Sequence, residues 1–212
     1  NIRFTRNKLL QLNIVRARGL FCQAIINAQS ASLHCTNMYA TLASFINLEF
    51  PNVIELLLTR CIHMFTNAYK FKNENKYKPP ILFISFMIYH NVAKECLAFD
   101  IIKKLIKSPT KLSLDMVEEI LKICGEKINS NPQNKLDLKY TFDTLHKTSQ
   151  DDQIDKSVQC LAARIALIAY QDYFEDEQQI DLVDPFKQYT HLMTLNCEYD
   201  PQYELDFFIY DV

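Results

Sequence analysis

The residues of this chain that could do chemistry are five histidines, seven cysteines and a late excess of carboxylates. His34, His63, His90, His146 and His191 are of the type that serves as catalytic base or metal ligand. Their closest groupings with a second ligand are His34-Cys35 and Cys61-Ile62-His63. Adjacent residues on a helix point about 100° apart, so neither grouping chelates a metal by itself. There is no HExxH and no CxxC. A Cys–His nucleophile pair is arithmetically possible, but no local pattern supports one. Glu118, Glu119, Asp151, Asp152, Glu175, Asp176 and Glu177 sit at expected helix starts or in solvated runs, the ordinary use of such charges. The two glycines, Gly19 and Gly125, are too far apart to build a phosphate-cradling loop of either common type. The expectation is a chain with no catalytic residue, no metal site and no cofactor.

Two places could instead hold a partner. Arg16 and Arg18 flank opposite edges of the first strong helical pattern and could bind phosphate or an acidic surface. They could equally be helix-surface arginines bonded to neighbouring loops. The stretch 69–78 mixes Lys70, Lys72, Lys76 and Lys78 with Tyr69, Phe71 and Tyr77. Basic and aromatic residues interleaved in this way can grip single-stranded nucleic acid. They can also dock on an acidic protein face, or simply keep a loop in water.

The elements that must position these residues are helices. In residues 13–29, Ala17, Leu20, Phe21, Ala24, Ile25 and Ala28 recur at the spacing of one helix face. Ser30 to Leu33 interrupt the pattern, and residues 37–50 resume it with Tyr39, Leu42, Ala43, Ile46 and Phe50. Pro51 ends that helix and suits the first turn of the next, 52–71. That helix is the clearest, with Ile54, Leu57, Leu58, Cys61, Ile62, Phe65, Ala68 and Tyr69 in register. Pro79-Pro80 closes the basic loop, and residues 81–92 are apolar almost all round, which predicts a helix buried on both sides. Further helices are expected at 2–12, at 92–107, at 114–128 with Ser113 as N-cap, at 135–147 and at 153–170. Residues 171–212, punctuated by Pro185 and Pro201, should form short helices and extended pieces.

No strand alternation holds anywhere. About nine helices remain, paired roughly every 40 residues, the period of HEAT-like repeats. The expected fold is all-α, an α-solenoid of antiparallel HEAT-like helix pairs, with residues 1–170 as the helical domain and 171–212 as an acidic, aromatic extension leading toward a linker. Such stacks present long surfaces to partners.

Composition agrees. Hydrophobic residues make up 49% of the 212, enough for a sizeable core. The net charge of −2 hides an asymmetry: residues 1–111 carry 15 Lys/Arg against 5 Asp/Glu, and residues 112–212 carry 8 against 20. The basic half points to a polyanionic or acidic partner. The odd count and scatter of the cysteines point to free thiols in a reducing compartment. No apolar run reaches the roughly 18 residues of a membrane span. The chain begins without Met, which predicts an excerpt of a longer protein.

Several stretches then carry a resemblance. NIVRARGLFCQAIINAQSAS (13–32), YATLASFINLEFP (39–51) and ELLLTR (55–60) resemble the middle domain of the translation initiation factor four-G superfamily, in its spliceosomal branch. NVAKECLAFDIIKKLIKSPT (91–110), ILKICGEKI (120–128), IDKSVQ (154–159), LVDPFKQYTHLMTL (182–195) and EYDPQYELDFF (198–208) continue the match in order. The resemblance implies a non-catalytic scaffold of nuclear pre-mRNA splicing. Its implied partners are other spliceosome proteins and the DEAD-box RNA helicase of the exon junction complex, whose two lobes it holds apart. Direct RNA contact and a nucleolar, ribosome-assembly role are the alternatives. Ala17 departs from the family's Arg-Gly-Arg-Gly, while Arg16, Arg18 and Gly19 match it. The family's upstream Asn-Lys helix and its second helical domain lie outside this chain. The basic loop 70–78 matches a basic loop of the family, which makes Lys70, Lys72, Lys76 and Lys78, with Arg16 and Arg18, the partner-binding candidates.

Overall fold

The computed structural model describes residues 2–171 and 183–207. Glu175, Asp176 and Glu177 lie outside the described residues, as does the side chain of Ala169. Among the described residues there are nine α-helices, short 3₁₀ turns and no strand. The helices are α1 (Ile2–Leu9), α2 (Arg18–Ala31), α3 (Thr36–Asn47), α4 (Pro51–Lys70), α5 (Lys78–Tyr89), α6 (Cys96–Lys107), α7 (Lys111–Ser130), α8 (Lys135–Ser149) and α9 (Lys156–Gln171). The described residues fall in two compact units, 2–94 with 183–207 and 95–171.

In the first unit α2 packs on α4, α3 packs on α5, and α1 packs on α3. Consecutive helices α3, α4 and α5 also touch, as short connections between antiparallel neighbours require. The result is two layers of stacked helices, the HEAT-like arrangement. The interior holds Ile46, Ile54, Leu57, Leu58, Phe65, Ile81, Phe83, Ile84 and Met87, each essentially withdrawn from water. Each such side chain contributes about 1.5–3 kcal/mol relative to exposure. Residues Pro80 to Ile88 of α5 are all buried, as the all-round apolar pattern requires. The second unit repeats the scheme: α6 pairs with α7 and α8 with α9, while α6 stacks on α8 and α7 on α9.

Several boundaries differ from the sequence reading. The first strong helix starts at Arg18 and not at residue 13, because residues 14–17 form turns. Pro79 and Pro80 do not close the basic loop but lie inside the first turn of α5, where a missing N–H costs nothing. The N-cap of α7 is Thr110, not Ser113. Thr110 Oγ1 accepts from the Ser113 amide at 3.1 Å, and Ser113 Oγ accepts from the Thr110 amide at 2.8 Å, a reciprocal capping box. Helix α6 starts at Cys96 and not at residue 92, because Val92 to Lys94 bond to a distant segment instead.

That segment is residues 184–207, a strap laid along the first unit. His191 bridges in parallel to Ala93, its amide donating to Val92 O at 2.8 Å and its carbonyl accepting from the Lys94 amide at 3.0 Å. Asn47 Nδ2 donates to Gln188 Oε1 and to the Tyr189 carbonyl, both at 2.7 Å. Further along, Arg60 of α4 is 2% exposed and holds the strap from inside. Its Nε donates to Pro201 O at 2.9 Å, Nη2 to Gln202 O at 2.9 Å, and Nη1 to Gly19 O at 3.0 Å. Asp206 Oδ1 lies 2.7 Å from Nη2, a charge contact without the alignment of a hydrogen bond. A buried guanidinium is tolerable only when every face finds an acceptor, and here three carbonyls and a carboxylate supply them.

Candidate functional site

The basic loop hangs from the end of α4. Phe71 caps that helix, and Lys72 follows in the left-handed region at φ 51°. The Lys72 amide donates to Tyr69 O at 3.1 Å and the Asn73 amide to Ala68 O at 2.9 Å. Together these bonds make a Schellman end, which reverses the chain within two residues. A 3₁₀ turn over Glu74–Lys76 then leads into α5.

Lys70, Lys72, Lys76 and Lys78 are all exposed. Among the described residues none of the four is in an ion pair; Lys70 Nζ lies 6.0 Å from the centre of the Phe71 ring. The aromatic residues of the loop behave differently from one another. Tyr77 is 5% exposed, with its ring 5.9 Å from Phe65 and 6.1 Å from Tyr69. Burial pushes its phenol up from 10.0. Tyr77 and Tyr69 are therefore the anchors of the loop, and only Phe71, 75% exposed, faces outward. The alternation of basic and aromatic residues in the sequence is not an alternation on the surface.

A groove of about 490 Å³ opens beside the loop. Met64, Ala68, Phe71 and Pro79 form its apolar wall, with Asn73 and Lys76 at the rim. Gln29, buried near the end of α2, holds Pro79 of that wall by donating to its carbonyl at 3.1 Å, and donates to Thr36 Oγ1 at 3.0 Å. Tyr203 of the strap lines the groove too, its hydroxyl 2.9 Å from His63 Nδ1.

Arg16 and Arg18 sit elsewhere. They do not flank a helix: Arg16 is in the turn before α2, its amide bonded to Asn13 Oδ1 at 3.1 Å, and Arg18 is the first residue of α2. Arg18 Nη1 donates to Val15 O at 3.3 Å. The eleven helical steps from Arg18 to Gln29 put about 16 Å of helix between this end of α2 and the basic loop. Arg18 lines a second cavity of about 510 Å³ together with Glu49, Glu55 and Asp200. A phosphate entering there would meet three carboxylate residues. The structure thus brings the four lysines together and leaves the two arginines apart from them.

The histidines are dispersed. His90 Nε2 lies 3.2 Å from Thr41 Oγ1 and 3.0 Å from Asn37 Oδ1, while His191 Nε2 lies 2.8 Å from Asn47 Oδ1. Burial lowers the His191 imidazole to about 4. Among the described residues no three His, Cys, Asp or Glu side chains come together as a metal would need. Cys22 and Cys124 are buried thiols pushed up to about 12, and Cys61 is raised further by the same desolvation. Such thiols are poor nucleophiles. No described helix is long and apolar enough to cross a membrane.

Sequence reading passed over Arg60 and Met64, and gave Gly19 no structural role. Arg60 carries a visible signal, since a charge stands three residues after Leu57 and four after Leu56 inside the apolar register of α4. Met64 carries none, because an apolar residue beside a buried stripe reads as core.

Comparison with known proteins agrees with the all-α fold. The MIF4G domain matches residues 9–184. The pre-mRNA-splicing factor CWC22 homologues of human and mouse are each 33% identical over 216 aligned positions. These alignments take in all of this chain but 23% of each relative. The Drosophila melanogaster homologue is 34% identical over all of this chain and 16% of its own length. A male determiner protein of Musca domestica is 34% identical over 96% of this chain and 18% of its own. The chain thus spans about a quarter or less of these relatives.

Proposed function

Since the chain belongs to the MIF4G domain family, we propose that it is a non-catalytic scaffold of nuclear pre-mRNA splicing that binds a DEAD-box RNA helicase of the exon junction complex, among other spliceosome proteins. The observation that carries this reading is the similarity to splicing factors along the whole chain. The stacked helices supply the physical means. A rigid helical surface shifts a hinged enzyme toward one arrangement of its lobes only if it binds that arrangement better. Arg16, Arg18, Lys70, Lys72, Lys76 and Lys78 are the candidate contacts, with the four lysines favoured because they share one exposed loop.

The test is capture of the helicase from solution by this chain and by a longer version extended on both sides. Binding by the longer version, with slower helicase turnover, is expected. No binding by the longer version refutes the reading. Accumulation of the tagged full-length protein in nucleoli would favour ribosome assembly instead.

A further inference from the structure

We infer that the groove beside the basic loop is a docking site for an acidic peptide segment carrying one aromatic or large aliphatic anchor. The occupant follows from what surrounds the groove. Its wall of Met64, Ala68, Phe71 and Pro79 offers apolar contact to a side chain. The volume, about 490 Å³, accommodates an aromatic ring with its backbone. Lys76 lines the groove, and Lys70, Lys72 and Lys78 are exposed on the adjoining stretch 70–78, whose single acidic residue is Glu74. One cation in the slot and three more exposed on the loop beside it complement carboxylates flanking a buried anchor. Asn73 and Asn75, which also line the groove, supply amides for the peptide backbone.

The arrangement is held ready. The Schellman end with Lys72 at positive φ turns the chain so that Phe71 stands at the lip, 75% exposed. Tyr77 fixes the other side of the loop in the core. A preformed slot spares the ordering cost that a floppy loop would impose on binding. Single-stranded RNA suits the site less well. It needs successive aromatic platforms, and Phe71 is the one loop aromatic that faces out.

This inference rests on the proposed function only in treating the loop as a partner surface. The probe is a labelled peptide, Asp-Glu-Asp-Phe-Asp-Glu-Asp, titrated with the 212-residue chain by fluorescence anisotropy. Replacing its Phe with Ala should weaken binding roughly ten- to a hundredfold, the worth of one buried aromatic side chain. Lys72→Glu and Lys76→Glu should each weaken it roughly three- to tenfold, and more at low salt. Phe71→Ser changes an exposed residue and leaves the fold intact; it should weaken the Phe peptide and not the Ala peptide. Equal binding of the two peptides, indifference to Phe71→Ser, or no binding at all overturns the inference. Tighter binding of single-stranded RNA, lost in the same variants, overturns it in favour of a nucleic-acid site. Peptide binding without helicase capture sinks the helicase reading alone; helicase capture that survives all three variants, with no peptide binding, sinks the groove alone.

Discussion

Replacing Gly19 with Ala should loosen the strap from the first unit. A Cβ at Gly19 would lie 2.2 Å from the Leu205 carbonyl oxygen and 2.4 Å from its carbon, where ordinary contact begins near 3.4 Å. The obstacle is backbone, so no rotamer change relieves it. Leu205 must retreat by about an ångström, an overpacking cost on the order of 1–3 kcal/mol. The strap is not free to retreat, because Arg60 holds Pro201 O and Gln202 O at 2.9 Å and pairs with Asp206 at 2.7 Å. Losing one such charge-assisted bond adds about 1.5–3 kcal/mol. The helix propensity of Ala returns less than about 1 kcal/mol, since Gly19 is only the second residue of α2. A net loss of about 2–5 kcal/mol is expected in urea unfolding, with faster hydrogen exchange at residues 202–207. Arg60→Met, which leaves the Asp206 carboxylate and three carbonyls unpaired, should cost about 3–5 kcal/mol by itself. With the strap already released by Arg60→Met, Gly19→Ala should add little, giving a coupling of at least about 1 kcal/mol in a double-mutant cycle. A Gly19→Ala chain within about 0.5 kcal/mol of the parent, or strict additivity with Arg60→Met, would refute the close approach.

Three further outcomes follow from the same structure. His191, held by burial at about 4 against its ordinary 6.5, stays neutral in the folded chain while the unfolded chain takes up a proton below 6.5. Its contribution is therefore full above pH 6.5 and lost as pH falls toward 4. The ceiling is about 3 kcal/mol at roughly 1.4 kcal/mol per pH unit, and about 2 after local solvent screening; His191→Gln should flatten that part of the urea-midpoint profile. Lys72 sits at φ 51° in a helix end that favours glycine. Lys72→Gly should stabilise by about 0.5 kcal/mol, the relieved backbone strain less the added freedom of the unfolded chain, and a lower urea midpoint would contradict this. Thiol reagents should modify exposed Cys160 and Cys197 fast, half-buried Cys35 and Cys96 more slowly, and buried Cys22, Cys61 and Cys124 only on unfolding, as mass spectrometry after timed quenching can show.

Periodicity revealed the helices and their inward faces because each helix satisfies its own backbone and shows one stripe to the core. The register of Ile54, Leu57, Leu58, Cys61, Ile62 and Phe65 predicts a buried face, and all six are buried. Helix ends were less legible because competing bonds are tertiary. Val92 and Ala93 have apolar side chains that suit α6, but their backbones are held by His191 some hundred positions away. The lysines of the candidate site were visible as charges, and their exposure follows. The apolar half of the site was not, since nothing in a linear pattern separates a buried Tyr77 from an exposed Phe71 six residues earlier.

The Arg-Ala-Arg-Gly run at 16–19 shows how a motif can be noticed for one residue and depend on another. Its arginines draw the eye as charges, yet Arg18 bonds its own turn at 3.3 Å and shares a cavity with three carboxylate residues. The glycine beside them is what the structure cannot spare, because it lets the Leu205 carbonyl approach and offers its own carbonyl to Arg60 at 3.0 Å. Ala17, where the resemblance expects glycine, has φ −92°, a conformation open to any residue. The backbone requirement therefore falls on Gly19 and not on position 17. Closing the strap over α2 and α4 also brings Tyr203 to His63, beside the groove under the basic loop. A substitution at Gly19 should thus disturb a binding surface at the other end of α2 without touching any residue that lines it.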